Sequence, residues 1–196
     1  MTINTEDLLN SILESLGRIE YIKPEDIPNI DLYMDQVTTF MNNKLRSTAR
    51  HPQDDKILTK TMINNYAKND LLPPPIKKKY SKEHILLLVF IYYYKGILSI
   101  GDIQTLLKPI TEQYFQNDKE FNLESIYNEV FGMEKSQVEL LKKDVVEKFR
   151  RAEQTFGDAP DESREFLRKF SFICLLGFDV YVKKLLIEKL IDDLAK

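Results

Sequence analysis

One cysteine in 196 residues, Cys174, excludes an internal disulfide and fits a reducing compartment. It lies in the apolar run Phe172-Ile173-Cys174-Leu175-Leu176, where a buried small hydrophobe is expected rather than a redox sensor. Histidine is nearly as scarce. His51 and His84 stand far from the cysteine and offer neither metal-ligand spacing nor a nucleophile–base pair. His84 reads as a helix-start residue. Six glycines form no phosphate-cradling loop, and the adjacent pairs Asp54-Asp55 and Asp192-Asp193 read as solvated caps or tails. No enzyme, cofactor or metal is therefore expected. The longest apolar run, Ile85–Tyr94, is about half the ~20 residues that span a bilayer, so it should be a buried helix. The N-terminus has no basic stretch leading into an apolar one, which removes a secretory signal and leaves a cytoplasmic protein. Repeats and low-complexity tracts are missing and strand signals are few. The expected fold is mainly all-α.

What is present is an uneven charge. The net charge is only −3, which is unpromising for nucleic acid until the chain is divided. Residues 1–43 hold two Lys/Arg and eight Asp/Glu, a balance of −6, and residues 83–196 hold a balance of −4. Between them, residues 44–82 carry ten Lys/Arg against three Asp, a balance of +7. Most charge runs are solvated faces. This one coincides with a patterned stretch.

That stretch is Leu58–Leu107. On a helical wheel, Met62, Ile63, Tyr66 and Thr59 fall on one side, and Thr61, Asn64, Asn65 and Lys68 on the other. The outward set holds amides, a hydroxyl and a cation, with no acid. Asn can pair bidentately with adenine and Lys can reach guanine or phosphate. Pro73-Pro74-Pro75 is expected to end this helix, since proline lacks the N–H and disfavours helical geometry before it. Lys77-Lys78-Lys79-Tyr80 follows as a compact cationic loop. The pattern predicts a helix-turn-helix with a flanking wing.

The motifs NNYAKNDLLPPP and KKKYSKEHILLLVFIYYYKGILSIGDIQTLL resemble the DNA-binding half of MerR-type winged-helix regulators, over roughly Ile30–Leu107. They are more closely similar to the bacterial domain-of-unknown-function family 1836, whose helix-turn-helix is MerR-like. The resemblance implies that Tyr66 contacts the DNA backbone, that Lys68 holds a basic position, and that Tyr80 and Ser81 close the wing. Asn64 and Asn65 stand where the pattern has Arg and its first Tyr, Asp70 stands at the turn glycine, and the wing is several residues short. The DNA-binding set expected is Thr59, Lys60, Thr61, Asn64, Asn65, Tyr66, Lys68, Lys77, Lys78, Lys79 and Tyr80.

Along the rest of the chain, residues 5–16 read as a helix with Thr5 as cap and Gly17 as stop, and Asp31–Leu45 as the first helix of the motif. Arg46–Lys56 reads as a mobile polar loop rather than a DNA contact through Arg46 and Arg50. Ser81 should cap a helix to Lys95, and Ser99-x-x-Asp102 should box the next, stopped by Pro109. Tyr92-Tyr93-Tyr94 belongs to a helix interior before it belongs to a ligand site. Residues 111–121 read as a connector, Leu123–Phe131 as a short helix, and Ser136-x-x-Glu139 as the cap of a longer one, ending near Gly157, with Val138, Leu141, Val145 and Phe149 inward. Arg164–Leu194 reads as one helix, or two if Gly177 breaks it. Its apolar part, Phe170–Tyr181, must be covered by a core or a partner.

These readings divide the chain into an N-terminal helix and connector (1–28), a DNA-binding domain (29–110) and a helical dimerisation or effector domain (122–196). The function expected is a sequence-specific transcription regulator on double-stranded DNA. The resemblance implies a homodimer on a two-fold operator, with room for an unidentified small-molecule effector. The alternative is a protein-interaction module that keeps the fold without binding DNA.

Overall fold

The computed structural model describes residues 5–17, 21–51, 53–117 and 119–195. By packing the chain forms two units. One holds Glu20–Gly132 with Glu188–Lys196, and the other holds the described part of Met1–Ile19 with Met133–Ile187. The fold is mainly α-helical, with one two-stranded sheet among the described residues.

In the first unit, β1 (Leu32–Tyr33) leads straight into α2 (Met34–Leu45). After α3 (Lys60–Lys68), β2 (Lys79–Tyr80) leads into α4 (Lys82–Tyr94), and α5 (Ile100–Tyr114) and α6 (Leu123–Gly132) follow. The first helix of the expected pair therefore begins after Tyr33, because Leu32 and Tyr33 are drawn into strand pairing with β2. Helix α4 is the centre of the unit. Every residue from His84 to Ile91 is buried, as an all-round apolar helix requires. Val37, Met41 and Leu45 of α2, Ile63 and Tyr66 of α3, and Leu123 and Tyr127 of α6 add to the core. The Tyr127 hydroxyl donates to the Ile22 carbonyl at 2.6 Å inside it, so the segment before β1 is held by a buried hydrogen bond 105 residues away in sequence.

Proline placement misleads twice. Helix α3 ends at Lys68, before the triple proline, because Asp70 takes a left-handed conformation (φ 55°). The Leu71 N–H then reaches the Tyr66 carbonyl at 2.9 Å, a Schellman closure with both side chains buried. Helix α5 begins at the Ser99–Asp102 box as expected but runs through Pro109 to Tyr114. Pro109 is exposed, and α5 bears there the missing N–H and the ring's crowding of the preceding turn. The expected connector over 111–121 is accordingly helical as far as Tyr114, and the change of packing unit falls at Gly132–Met133.

In the second unit, α1 (Thr5–Gly17) packs Leu9, Ile12, Leu13 and Leu16 on Val145, Phe149 and Ala152 of α7 (Glu134–Glu153) and Phe172 of α8 (Asp161–Leu194). Thr5 lies within the helix rather than capping it. Ser136 caps nothing, because α7 already starts at Glu134 and the Ser136 hydroxyl donates to the Met133 carbonyl at 2.8 Å. That helix closes at Glu153, short of Gly157, and Leu141 is exposed instead of inward. Helix α8 runs 34 residues without a break at Gly177. Within Phe172–Leu176 only Phe172 is buried, and Cys174 is exposed, contrary to the burial expected for it. Among the described residues, no helix is long and apolar enough to cross a membrane.

Candidate nucleic-acid interface

Helix α3 is set by its own ends. The Thr59 hydroxyl accepts the Met62 N–H at 3.1 Å, a side-chain N-cap. At the other end Asp70 supplies the left-handed turn where the family-like pattern has glycine, which a short polar side chain tolerates. Between these ends Ile63 and Tyr66 face the core, while Lys60, Thr61, Asn64, Asn65 and Lys68 lie exposed. The two faces drawn from periodicity are the two faces observed. Lys60 is tied to the Asp35 carboxylate of α2, so one of the expected cations is already partnered.

The segment expected as a wing is a tight hairpin. Ile76 and Lys79 exchange backbone hydrogen bonds at 3.1 and 2.9 Å, with Lys77 and Lys78 between them at φ 50° and 65°. Positive φ at both central residues is a type I′ turn, which ordinarily takes Asn-Gly. Two lysines here cost on the order of 1 kcal/mol each in backbone strain. Strain of this kind gathers at functional segments, and here it falls on two exposed lysines, adjacent in sequence, at a hairpin tip. The hairpin is fastened to α2 through the strand pair, Leu32 opposite Tyr80 and Tyr33 opposite Lys79. Leu32 and Tyr80 are buried, while Tyr33 is exposed and Lys79 half-buried, the alternation a strand demands.

Three of the expected contact residues are placed otherwise. Tyr80 is 2% exposed and Tyr66 6%, so neither ring is open to a groove, and burial pushes both hydroxyls above their ordinary pKa. Thr59 is occupied as the N-cap. Each of the three builds the surface that its neighbours present.

Below the wing sits His84. Its Nδ1 accepts the Ser81 N–H at 3.0 Å and lies 2.8 Å from the Ser81 hydroxyl, so the neutral ring carries its proton on Nε2. The Tyr80 and Phe115 rings meet it edge-on, with centroids at 5.5 and 4.8 Å. Burial lowers its pKa, opposed in part by the carbonyls of Pro74 and Pro73 and by the charge of Asp31. His84 is a helix-start residue, as its position suggested, and also the packed floor of the wing.

Residues 46–56 hold more structure than a polar loop. A 3-10 turn covers Arg46–Thr48, the His51 carbonyl accepts the N–H groups of Asp54 and Asp55, and the Thr48 hydroxyl lies 2.6 Å from the Tyr92 hydroxyl. Lys95 donates to the Ile57 carbonyl at 2.6 Å with its ammonium 4.9 Å from the Tyr92 ring centroid, and burial lowers its pKa. Neither partnership had a local sequence signal. Also missed were the exposed apolar side chains Ile30, Tyr33 and Ile76 around the strand pair. An isoleucine directly before a lysine run was the one hint.

A family model described as "Domain of unknown function (DUF1836)" matches residues 22–130. The chain belongs to this family. The DUF1836 segment coincides closely with the Glu20–Gly132 part of the first packing unit and contains α3, the Ile76–Lys79 hairpin and α4. No curated protein and no solved structure matches the chain. Among the described residues, no group of three or more His, Cys, Asp or Glu side chains is arranged to hold a metal ion in this DUF1836 protein.

Proposed function

We propose that this DUF1836 protein is a cytoplasmic, non-catalytic regulator that reads duplex DNA through a MerR-like winged helix-turn-helix. The observation that carries the reading is the outward face of α3. Thr61, Asn64, Asn65 and Lys68 form an acid-free, hydrogen-bonding surface on a helix capped at both ends, in the most basic part of the chain. A helix of this kind docks in the major groove with such side chains toward base edges. Lys77 and Lys78 stand ready for phosphate, and among the described residues no ion pair engages either. A homodimer on a two-fold operator belongs to the same proposal.

The test pairs binding with folding. Asn64→Ala and Lys68→Ala should melt like the wild type, because both side chains are exposed. Asn64→Ala should relax sequence preference at about 1–3 kcal/mol if it makes a bidentate base contact. Ile63→Asp should unfold the unit by burying an unpaired charge. If both surface variants bind sites selected from random duplexes, and their scrambled versions, as the wild type does, α3 does not read DNA.

One observation favours the protein-interaction alternative. Tyr33 pairs with Lys79 and Ile76 bridges to it, so two exposed apolar side chains flank one cation, as on a peptide-docking surface. Loss of a pulled-down partner with Ile76→Ser, without any DNA affinity in the wild type, would select that reading.

A further inference from the structure

Helix α2 ends at Leu45 and α3 begins at Lys60. An ordinary helix-turn-helix joins its two helices by a turn of about three or four residues, which leaves the second helix little choice of direction. Here the joining segment is much longer, and its middle, His51 and residues 53–56, lies exposed. Its length does not fix the direction of α3, which must be set from outside the segment.

Helix α4 holds the segment at both ends. Tyr92 and Lys95, the residue that closes α4, stand three positions apart on one face. The Tyr92 hydroxyl lies 2.6 Å from that of Thr48, which itself donates to the Leu45 carbonyl at 2.7 Å, so the phenol is the donor. That contact fastens the segment to the close of α2. At the other end, the Lys95 ammonium donates to the Ile57 carbonyl at 2.6 Å and lies 4.9 Å from the Tyr92 ring centroid. The Ile57 N–H donates to the Asn42 side-chain oxygen of α2 at 3.3 Å. Ile57 and Leu58 are buried, and Thr59, the next residue, caps α3. Ile57 is thus gripped from α2 through its N–H and from α4 through its carbonyl, two residues before the cap. A cation at the end of a helix ordinarily serves that helix's own last carbonyls. Lys95 reaches across to another segment instead, and burial there lowers its pKa, so the charge is held against desolvation.

We propose that Lys95 is the positioning residue of α3: from the end of α4 its ammonium holds the Ile57 carbonyl and so sets the direction in which α3 leaves the segment. The consequence for Asn64 and Lys68 on a duplex rests on the proposed DNA reading. The grip on Ile57 does not.

Hydrogen exchange on the full chain measures the grip without DNA. Lys95→Met keeps the apolar stem and removes the donor. Exchange of the Ile57, Met62 and Ile63 amides should then rise about tenfold, as the loss of one charge-assisted hydrogen bond predicts, while residues 88–91 of α4 stay protected. Lys95→Arg should restore the protection, since a guanidinium can donate to the same carbonyl. Asn42→Ala leaves Lys95 in place and should loosen the same amides from the other side of Ile57. On duplexes selected from random sequence, Lys95→Met should lose about tenfold of the wild type's discrimination against scrambled sites, and Lys95→Arg should keep it. The salt slope should be the same in all three proteins, because the ammonium is engaged by a carbonyl and not by a phosphate. Exchange that rises evenly through α4 as well, no rise in either Lys95→Met or Asn42→Ala, or a slope flattened by about 0.9 in Lys95→Met would each overturn the positioning role. A wild type that retains no duplex, with the exchange pattern as expected, would instead end the DNA reading and leave the role of Lys95 standing.

Discussion

Lys79 holds its ammonium 5.3 Å from the centroid of the Tyr33 ring that stands opposite it in the strand pair. The contact closes the exposed edge of the wing, while the Leu32–Tyr80 pair closes the buried one. An exposed cation–π contact stabilises by roughly 0.5–1 kcal/mol. Tyr33→Ala should therefore lower unfolding stability in urea by about that amount. Tyr33→Phe should leave it unchanged, since the ring face and not the hydroxyl is used. Equal losses in the two variants would assign the effect to something else.

The turn at Lys77-Lys78 holds strain that glycine would relieve. Lys78→Gly should raise unfolding stability by up to ~1 kcal/mol, the relief at positive φ exceeding the added freedom of the unfolded chain. The same change should weaken DNA binding through the lost charge. A rise in stability with a fall in affinity is the pattern of a residue kept for function at the expense of folding. A lower melting temperature would show that the lysines are not strained.

Salt reports whether the wing meets phosphate. Each phosphate neutralised steepens the log–log dependence of affinity on salt by about 0.9. Lys77→Ala with Lys78→Ala should flatten the slope by up to about two such increments and weaken all sequences alike. Lys79 is better left in place, because it also holds the Tyr33 ring. A slope identical to that of the wild type removes the wing from the interface.

His84 makes folding acid-sensitive. Its pKa in the fold is lowered by burial below the ordinary value near 6.5, so the neutral ring is the folded form. As pH falls below about 6.5 the unfolded chain takes up a proton that the folded chain refuses, and stability declines until the lowered pKa is reached. The contribution is full above pH 6.5. Melting temperatures compared at pH 7.5 and 5.5 should fall more for the wild type than for His84→Gln, which keeps an acceptor for the Ser81 N–H without titrating. Equal falls would place the acid sensitivity in other groups.

Local rules carried a long way in this chain. The α3 faces follow from the spacing of Ile63 and Tyr66, and the burial of α4 from seven uninterrupted apolar residues at Ile85–Ile91. The Ser81 and Ser99 helix starts follow from capping chemistry written within four residues. Each of these depends on neighbours close in sequence, so periodicity and propensity suffice to find it. Long-range partners decided the rest. Asp70 ends α3 because Leu71 has a core to enter, and α5 continues past Pro109 although the proline lacks an N–H. Tyr80 is scaffold rather than surface because α4 and β1 lie against β2, and Tyr66 because α2 lies against α3. Cys174 is exposed because α1 and α7 bury only the Phe172 side of α8. Which of two apolar faces enters a core depends on the area its neighbours offer, and that area is assembled from residues more than a hundred positions apart.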